Sequence, residues 1–398
     1  MSAGDGLGGR VSTAMRGYWI ERNLHPGAWW VWAIGLAAAA SRTTNPVLLA
    51  LLIGVACTVV ACRRSDAPWA RAFRLYLWLA LFIVVFRVFF RILFGGGEGP
   101  TVLVTLPEVP FPEWAAGIRL LGTVSAESVL GGLYDGLRLA TMVVCIGAAN
   151  ALASPKRLLK AMPGALYETG TVVIVAMSVF PQLAESVQRV RAARRLRGET
   201  GAGAHALRSI VVPVLEDALE RSLRLAAAMD SRGYGRSGTA SRAARWFTGV
   251  LTVGGLLGLC VGIYATLDGS SPRVLATPLL LTGIAVAWTG FVLTGRRVGC
   301  TRYRPDRWRA AELLTAGSGI AVVVLLWAAA RVDPTALLPT LSLVAWPSVP
   351  LLAAVGCLLG VLPAVLTPQP PPDAGDQPAA DAASSHPRPD RRTPQGVS

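Results

Sequence analysis

The chain has 398 residues, 53% of them hydrophobic and 15% charged, with 38 Lys and Arg against 23 Asp and Glu and a net charge of +15. So apolar a composition excludes an ordinary soluble domain and predicts several membrane spans. The basic excess does not point to nucleic acid, because the arginines lie in alternate loops between apolar blocks and form no aromatic-interleaved patch.

Catalytic classes thin out quickly. Lys156 and Lys160 are the only lysines, and neither follows a glycine, so no phosphate-binding G-x-x-x-x-G-K-[ST] loop exists and the chain is not itself an ATPase of that type. Cys57, Cys62, Cys145, Cys260, Cys300 and Cys357 form no C-x-x-C and lie mostly in apolar blocks, and His25, His205 and His386 are scattered. No metal, cofactor or catalytic residue is therefore expected. The first apolar block begins only near Trp29, with no small-residue cleavage pattern, so no cleavable signal peptide is expected.

Apolar blocks fall at 28–41, 46–62, 72–94, 131–152, 246–267, 274–294, 312–330 and 347–366. A span takes about 20 residues, so the first is short and borrows from Leu24–Gly27 or tilts little. The fold class read from this is an all-α polytopic membrane protein with about eight transmembrane helices and a cytoplasmic insert between spans four and five. Its parts are an N-terminal segment 1–27, a first bundle 28–152, the insert 153–245, a second bundle 246–366 and a disordered Pro-rich tail 367–398. Arg63, Arg64, Arg71 and Arg74, the insert, and the six arginines of 296–309 all fall on one face of this arrangement. That face is cytoplasmic by the positive-inside rule, and both termini lie on it.

Within the external segment 95–130, TVLVTLP (101–107) reads as a short strand pairing with GIRLLGTV (117–124). Arg87 and Arg91 sit one turn apart near the end of span three. Intramembrane charge flags function, but the plainer reading is snorkelling to the outer interface. Asp135 and Arg138 suit an interfacial ion pair.

The insert opens with Ser154-Pro155 as cap and first turn of a short basic helix, which Pro163-Gly164 ends. Residues 166–180 are apolar but number only 15 and carry Glu168, which predicts an interfacial or buried helix and no span. A separate amphipathic helix follows over 181–198, with Leu183, Val187 and Val190 on one stripe and Glu185–Arg189 paired at i, i+4. After the flexible ETGAGA comes a second amphipathic helix, 213–233, with Leu215, Ala218, Leu219, Ser222, Ala226 and Met229 on one face. Asp217–Arg221 and Glu220–Arg224 are acid-before-base pairs along it. Both helices stop on the same tripeptide shape, Leu196-Arg197-Gly198 and Ser231-Arg232-Gly233. Glycine suits the left-handed position after a helix, and a cation suits the C-terminal dipole. A guanidinium on such a tip can also enter a groove and bind a carboxylate bidentately.

These features resemble the T component, or transmembrane scaffold, of energy-coupling factor (ECF) transporters of the EcfT/CbiQ type. The resemblance covers about 24–305 and rests on LHP (24–26), TVLVTLP (101–107), DGLRLAT (135–141), SPKRLLKAMP (154–163), RRLRG (194–198) and AMDSRGYG (228–235), the last two being the specific ones. It implies an ATP-driven importer of a vitamin or transition-metal ion in a bacterial cell membrane. Its non-catalytic scaffold would dock two ABC-type ATPase subunits through X-Arg-X tips, here Leu196, Arg197, Gly198 and Ser231, Arg232, Gly233. Leu196 and Ser231 stand where the family usually has alanine. The apolar helix faces would support a substrate-binding membrane S component. Two alternatives from other classes are a stand-alone secondary transporter, which predicts an internal repeat, and a membrane enzyme, which needs a convergent catalytic set. Neither signature stands out in the sequence.

Overall fold

The computed structural model describes residues 22–65, 72–94, 99–107, 109–110, 119–162, 166–198, 204–234, 241–267, 273–297, 308–339 and 346–371. Most of the expected N-terminal segment and tail, the linker 199–203, the 163–164 turn and the arginine-bearing 298–307 lie outside these residues. The described chain is almost wholly helical, and seven of its helices are long and apolar enough to cross a membrane, as expected of an all-α polytopic membrane protein.

Two compact units divide it, residues 1–158 with 306–398, and residues 159–305. The first unit opens with α1 (Pro26–Ala40) and α2 (Pro46–Arg63). Each starts at a proline whose missing N–H would be unpaired there in any case. His25 Nδ1 accepts from Gly27 N at 3.1 Å, and Asn45 Oδ1 accepts from Val47 N at 3.0 Å, so both ends are capped. Then come α3 (Phe73–Leu93), strands β1 (Val102–Thr105), β2 (Val109–Pro110), β3 (Arg119–Leu120) and β4 (Thr123–Ser125), α4 (Ala126–Leu152) and the short α5 (Pro155–Lys160). The expected strand at 101–107 is present. It pairs antiparallel with β4, at the far end of the expected partner, while β2 pairs with β3. Span four starts earlier than expected, at Ala126, because Ser125 caps it by accepting from Ser128 N at 3.2 Å.

The same unit contains α10 (Ala310–Val332), α11 (Pro334–Leu337), α12 (Leu351–Leu359) and α13 (Leu362–Leu366). The block expected as one span over 347–366 is thus two short helices, interrupted at Gly360-Val361. The C-terminal helices belong with α1 and α2, although apolar periodicity had placed them in one bundle with 246–294. A Cβ on Gly35 would lie 2.4 Å from the Gly319 carbonyl oxygen, so only glycine allows α1 and α10 this close. Polar ties reinforce the contact. Arg22 forks onto Glu312 at 2.6 and 3.0 Å, and Trp32 Nε1 donates to the Gly360 carbonyl at 3.0 Å. Asn45 Nδ2 donates to the Ala336 and Ser348 carbonyls, both at 2.9 Å, and Arg63 Nη2 to that of Ala364 at 2.8 Å. The largest fully buried side chains, Trp32, Leu36, Leu48, Leu49, Leu52 and Leu326, form the core between them. The expected Asp135–Arg138 ion pair is absent among the described residues, because Arg138 donates to the Ser41 carbonyl at the C-terminus of α1.

The second unit holds α6 (Tyr167–Leu196), α7 (Ala204–Ser231), α8 (Arg242–Leu267) and α9 (Arg273–Arg297). Two expectations fail here. No break separates 166–180 from 181–198: α6 is one 30-residue helix with Pro181 inside it, and Thr169–Leu196 has the length and apolarity of a span. Likewise α7 starts at Ala204 and runs through Pro213, nine residues before the expected start. A proline removes one intrahelical hydrogen bond and kinks a helix, but sustained packing on either side carries the helix through. Helices α8 and α9 meet through small residues, a Cβ on Gly255 falling 2.3 Å from Ala287 N and one on Gly283 2.5 Å from Leu259 N.

Candidate functional site

The tripeptides singled out in the sequence occupy equivalent positions in the structure. In α7 Ser231 is the last helical residue, Arg232 the C-cap and Gly233 the residue after it, at φ +72°. Gly233 N donates to the Asp230 carbonyl at 2.9 Å and Tyr234 N to that of Met229 at 3.0 Å. These are the two bonds of a Schellman ending. In α6 Leu196 is the last helical residue, Arg197 the C-cap and Gly198 follows at φ +73°, its N–H donating to the Arg195 carbonyl at 3.1 Å. A side chain on either glycine would be strained, so the glycine after each arginine is required by the backbone. Each arginine is thereby held where its helix closes, and both are exposed. Leu196, beside the first arginine, is 90% exposed.

The two helices are tied at one crossing. Ser186 Oγ donates to Asp217 Oδ2 at 2.7 Å, Arg189 reaches the same oxygen at 3.3 Å, and Arg221 grips Asp217 from within α7 at 2.9 and 3.1 Å. Arg221 Nη1 also reaches Gln182 Oε1 at 3.5 Å. The Ser186 hydroxyl first, then Arg221 and Arg189, hold the Asp217 carboxyl below its ordinary range against its partial desolvation. Arg189 was expected to pair with Glu185 on its own helix; it reaches across to Asp217 instead. The pairs Asp217–Arg221 and Glu220–Arg224 form as the spacing predicts.

As numbering rises along α6 from Gln182 to Arg189, its partners in α7 fall from Arg221 to Asp217, so the helices cross in antiparallel sense. At 1.5 Å per residue, Arg197 stands ~16 Å beyond the crossing and Arg232 ~22 Å beyond it, in opposite directions. The arrangement therefore displays two guanidinium tips at separate places on one helix pair. Pro181 and Pro213 precede the Ser186–Asp217 crossing by about one to one and a half turns.

One feature was only half visible in the sequence. The expected apolar face of α7 includes Leu215 and Leu219, and these continue a row with Leu207 and Val211 at intervals of four, all 48–67% exposed. The extension was missed because the helix was expected to start at Pro213. Among the described residues no group of three or more His, Cys, Asp or Glu side chains could hold a metal ion.

A family model described as CbiQ, cobalt transport protein, matches residues 19–241, more than half of the chain. No curated protein and no solved structure matches it. The matched stretch contains both arginine tips and ends just before α8.

Proposed function

The chain belongs to the CbiQ family of cobalt transport proteins, and from that premise we propose that it is the membrane scaffold through which ATPase subunits drive uptake of a transition-metal ion or vitamin. It is a multi-pass membrane component of a cobalt or ECF-type transport system. In the proposed working arrangement, α6 and α7 are cytoplasmic coupling helices of the insert 153–245 in a bacterial cell membrane; α6 has a span's length, but a crossing there would turn the arginine-bearing 296–309 outward. Arg197 and Arg232, flanked by Leu196, Gly198, Ser231 and Gly233, each dock on one of two ABC-type ATPase subunits. The exposed row Leu207, Val211, Leu215 and Leu219 receives a substrate-binding membrane S component.

The observation that carries this reading is the twin ending: two exposed arginines, each the C-cap of a helix closed by a positive-φ glycine, on opposite sides of one crossing. Fixed backbone ends and exposed guanidinium heads suit a fork that enters a groove and binds carboxylate. ATP binding draws the two ATPases together and displaces one tip relative to the other. Because Asp217 ties the helices at the crossing, displacement of a tip rotates its helix about that point and carries the motion to the apolar row. The ATPase-closed state must favour one crossing geometry over the other for work to be transmitted.

The experiment is uptake of radioactive cobalt or vitamin by cells supplied with the chain and its partner subunits. Arg197→Ala/Arg232→Ala should insert normally yet abolish ATP-driven uptake. Full uptake by that double variant would reduce both tripeptides to ordinary helix stops.

A further inference from the structure

Arg87 and Arg91 lie in the last two turns of α3, one turn apart, and both are exposed. Neither makes a hydrogen bond or ion pair among the described residues. With α3 ending at Leu93, Arg91 is ~3 Å and Arg87 ~9 Å short of the helix end, at 1.5 Å per residue. An unpaired guanidinium at that depth is costly in hydrocarbon, and it must reach the interface or find an anion.

The neighbouring helix is shaped around these two residues. A Cβ on Gly132 of α4 would lie 3.0 Å from Arg91 Cβ, and one on Gly136 would lie 3.1 Å from Arg87 Cβ. Two glycines one turn apart thus seat two arginine stems one turn apart, and the exposed heads have no hydrogen-bond or ion-pair partner among the described residues. Beside them on α3, Phe82, Phe86 and Phe90 form a ladder with successive ring centroids 5.5 and 4.3 Å apart. Phe82 is 59% and Phe86 46% exposed, and α3 is the least buried of the span-length helices.

We propose that this face of α3 binds one anionic phospholipid, its phosphate on Arg87 and Arg91 and an acyl chain along Phe82, Phe86 and Phe90. The chemistry selects each part. Guanidinium forks match phosphate oxygens, whereas phenylalanine has no polar handle and suits hydrocarbon. Cations at the helix end with an apolar ladder running toward the helix middle reproduce the polarity of a lipid, head outward and chain inward. Two cations favour an anionic headgroup, since a zwitterionic one brings its own ammonium. An acidic segment of a partner protein would satisfy the arginines but leave the ring ladder without a role. The site is independent of docking by Arg197 and Arg232.

The test is native mass spectrometry of the full chain in mild detergent, supplied with phosphatidylglycerol, phosphatidylcholine or glycerol phosphate. The wild type should retain one phosphatidylglycerol in preference to the other two. Arg87→Gln/Arg91→Gln should retain it roughly thirtyfold less, as loss of two interfacial cations implies. Phe86→Ala/Phe90→Ala should also weaken retention, and Arg42→Gln, at an exposed arginine just after α1, should not change it. Circular dichroism checks that the variants fold. If the glutamine variant does not fold, Arg87→Lys/Arg91→Lys decides: weaker retention supports the fork, and wild-type retention overturns it. Undiminished lipid in the glutamine variant would overturn the site. Equal binding of glycerol phosphate would show a bare phosphate site, and loss of a co-purifying membrane protein with lipid unchanged would show a protein interface. Each of these also overturns it.

Discussion

The α1–α2–α10 packing and the α6–α7 pair are built on opposite terms. In the first, glycine-to-glycine backbone approach, buried leucines and side-chain bonds spread from Arg22 to Arg63 hold helices far apart in sequence. In the second, a cluster around Asp217 ties two long helices that expose much of their apolar and basic surface. One is suited to keep its shape and the other to change its crossing while each helix stays intact. The proposed scaffold role needs both, and the substitutions below separate them.

The largest effect belongs to the rigid region. Glu312 is 1% exposed and its charge is met by the Arg22 fork and by Arg309 N at 3.0 Å. Removing one partner of a buried pair leaves an uncompensated charge, so Arg22→Ala should cost ~3–5 kcal/mol, read as a fall in melting temperature in detergent. Arg22→Met/Glu312→Leu should recover most of that loss. A single variant as stable as the wild type would mean the fork contributes little. Next in size, Gly319→Val places a Cβ 2.5 Å from Trp32 Cα and forces α1 from α10, at ~1–3 kcal/mol by the same readout. If melting is unchanged, the two helices are not held at this distance in the membrane.

The smallest effect lies at the crossing. The folded Asp217 carboxyl is depressed, so its stabilising contribution is present above its unfolded pKa and is lost as pH falls through the folded value. Hydrogen exchange in α6 and α7 should therefore rise only on acidification below the ordinary carboxylate range. Asp217→Asn should exchange faster at neutral pH and respond less to acid. A wild-type response centred near neutrality would point to a different group.

Legibility in the sequence followed the range of the interactions. Helix endings depend on a few adjacent residues, and both tripeptides lie where glycine after a cation predicts a stop. Six of the expected spans, at 46–62, 72–94, 131–152, 246–267, 274–294 and 312–330, were equally plain, whereas 347–366 breaks into two short helices and 169–196 has a span's length where none was expected. Helix starts at prolines were misjudged, because whether a helix continues through Pro181 or Pro213 depends on packing on either side, which the local sequence does not state. The grouping of α10 with α1 was hidden for a related reason. Gly35 and Gly319 are ordinary glycines until their backbones meet, and the Asn45 side chain reads as a cap before its bonds to Ala336 and Ser348 are seen. Arg189 likewise had a partner on its own helix by spacing, yet the crossing supplied a better-placed carboxylate.

Affinity of the purified full chain for its ATPase subunits, measured for the wild type, Arg197→Ala, Arg232→Ala and the double variant, addresses the paired tips most directly. Docking into a desolvated groove predicts a loss of ~2–5 kcal/mol for each arginine, with Arg→Lys only a partial rescue. Melting temperature should stay at the wild-type value, since both side chains are exposed. A loss below ~1 kcal/mol, the level of a solvent-exposed ion pair, would contradict docking through the arginine caps.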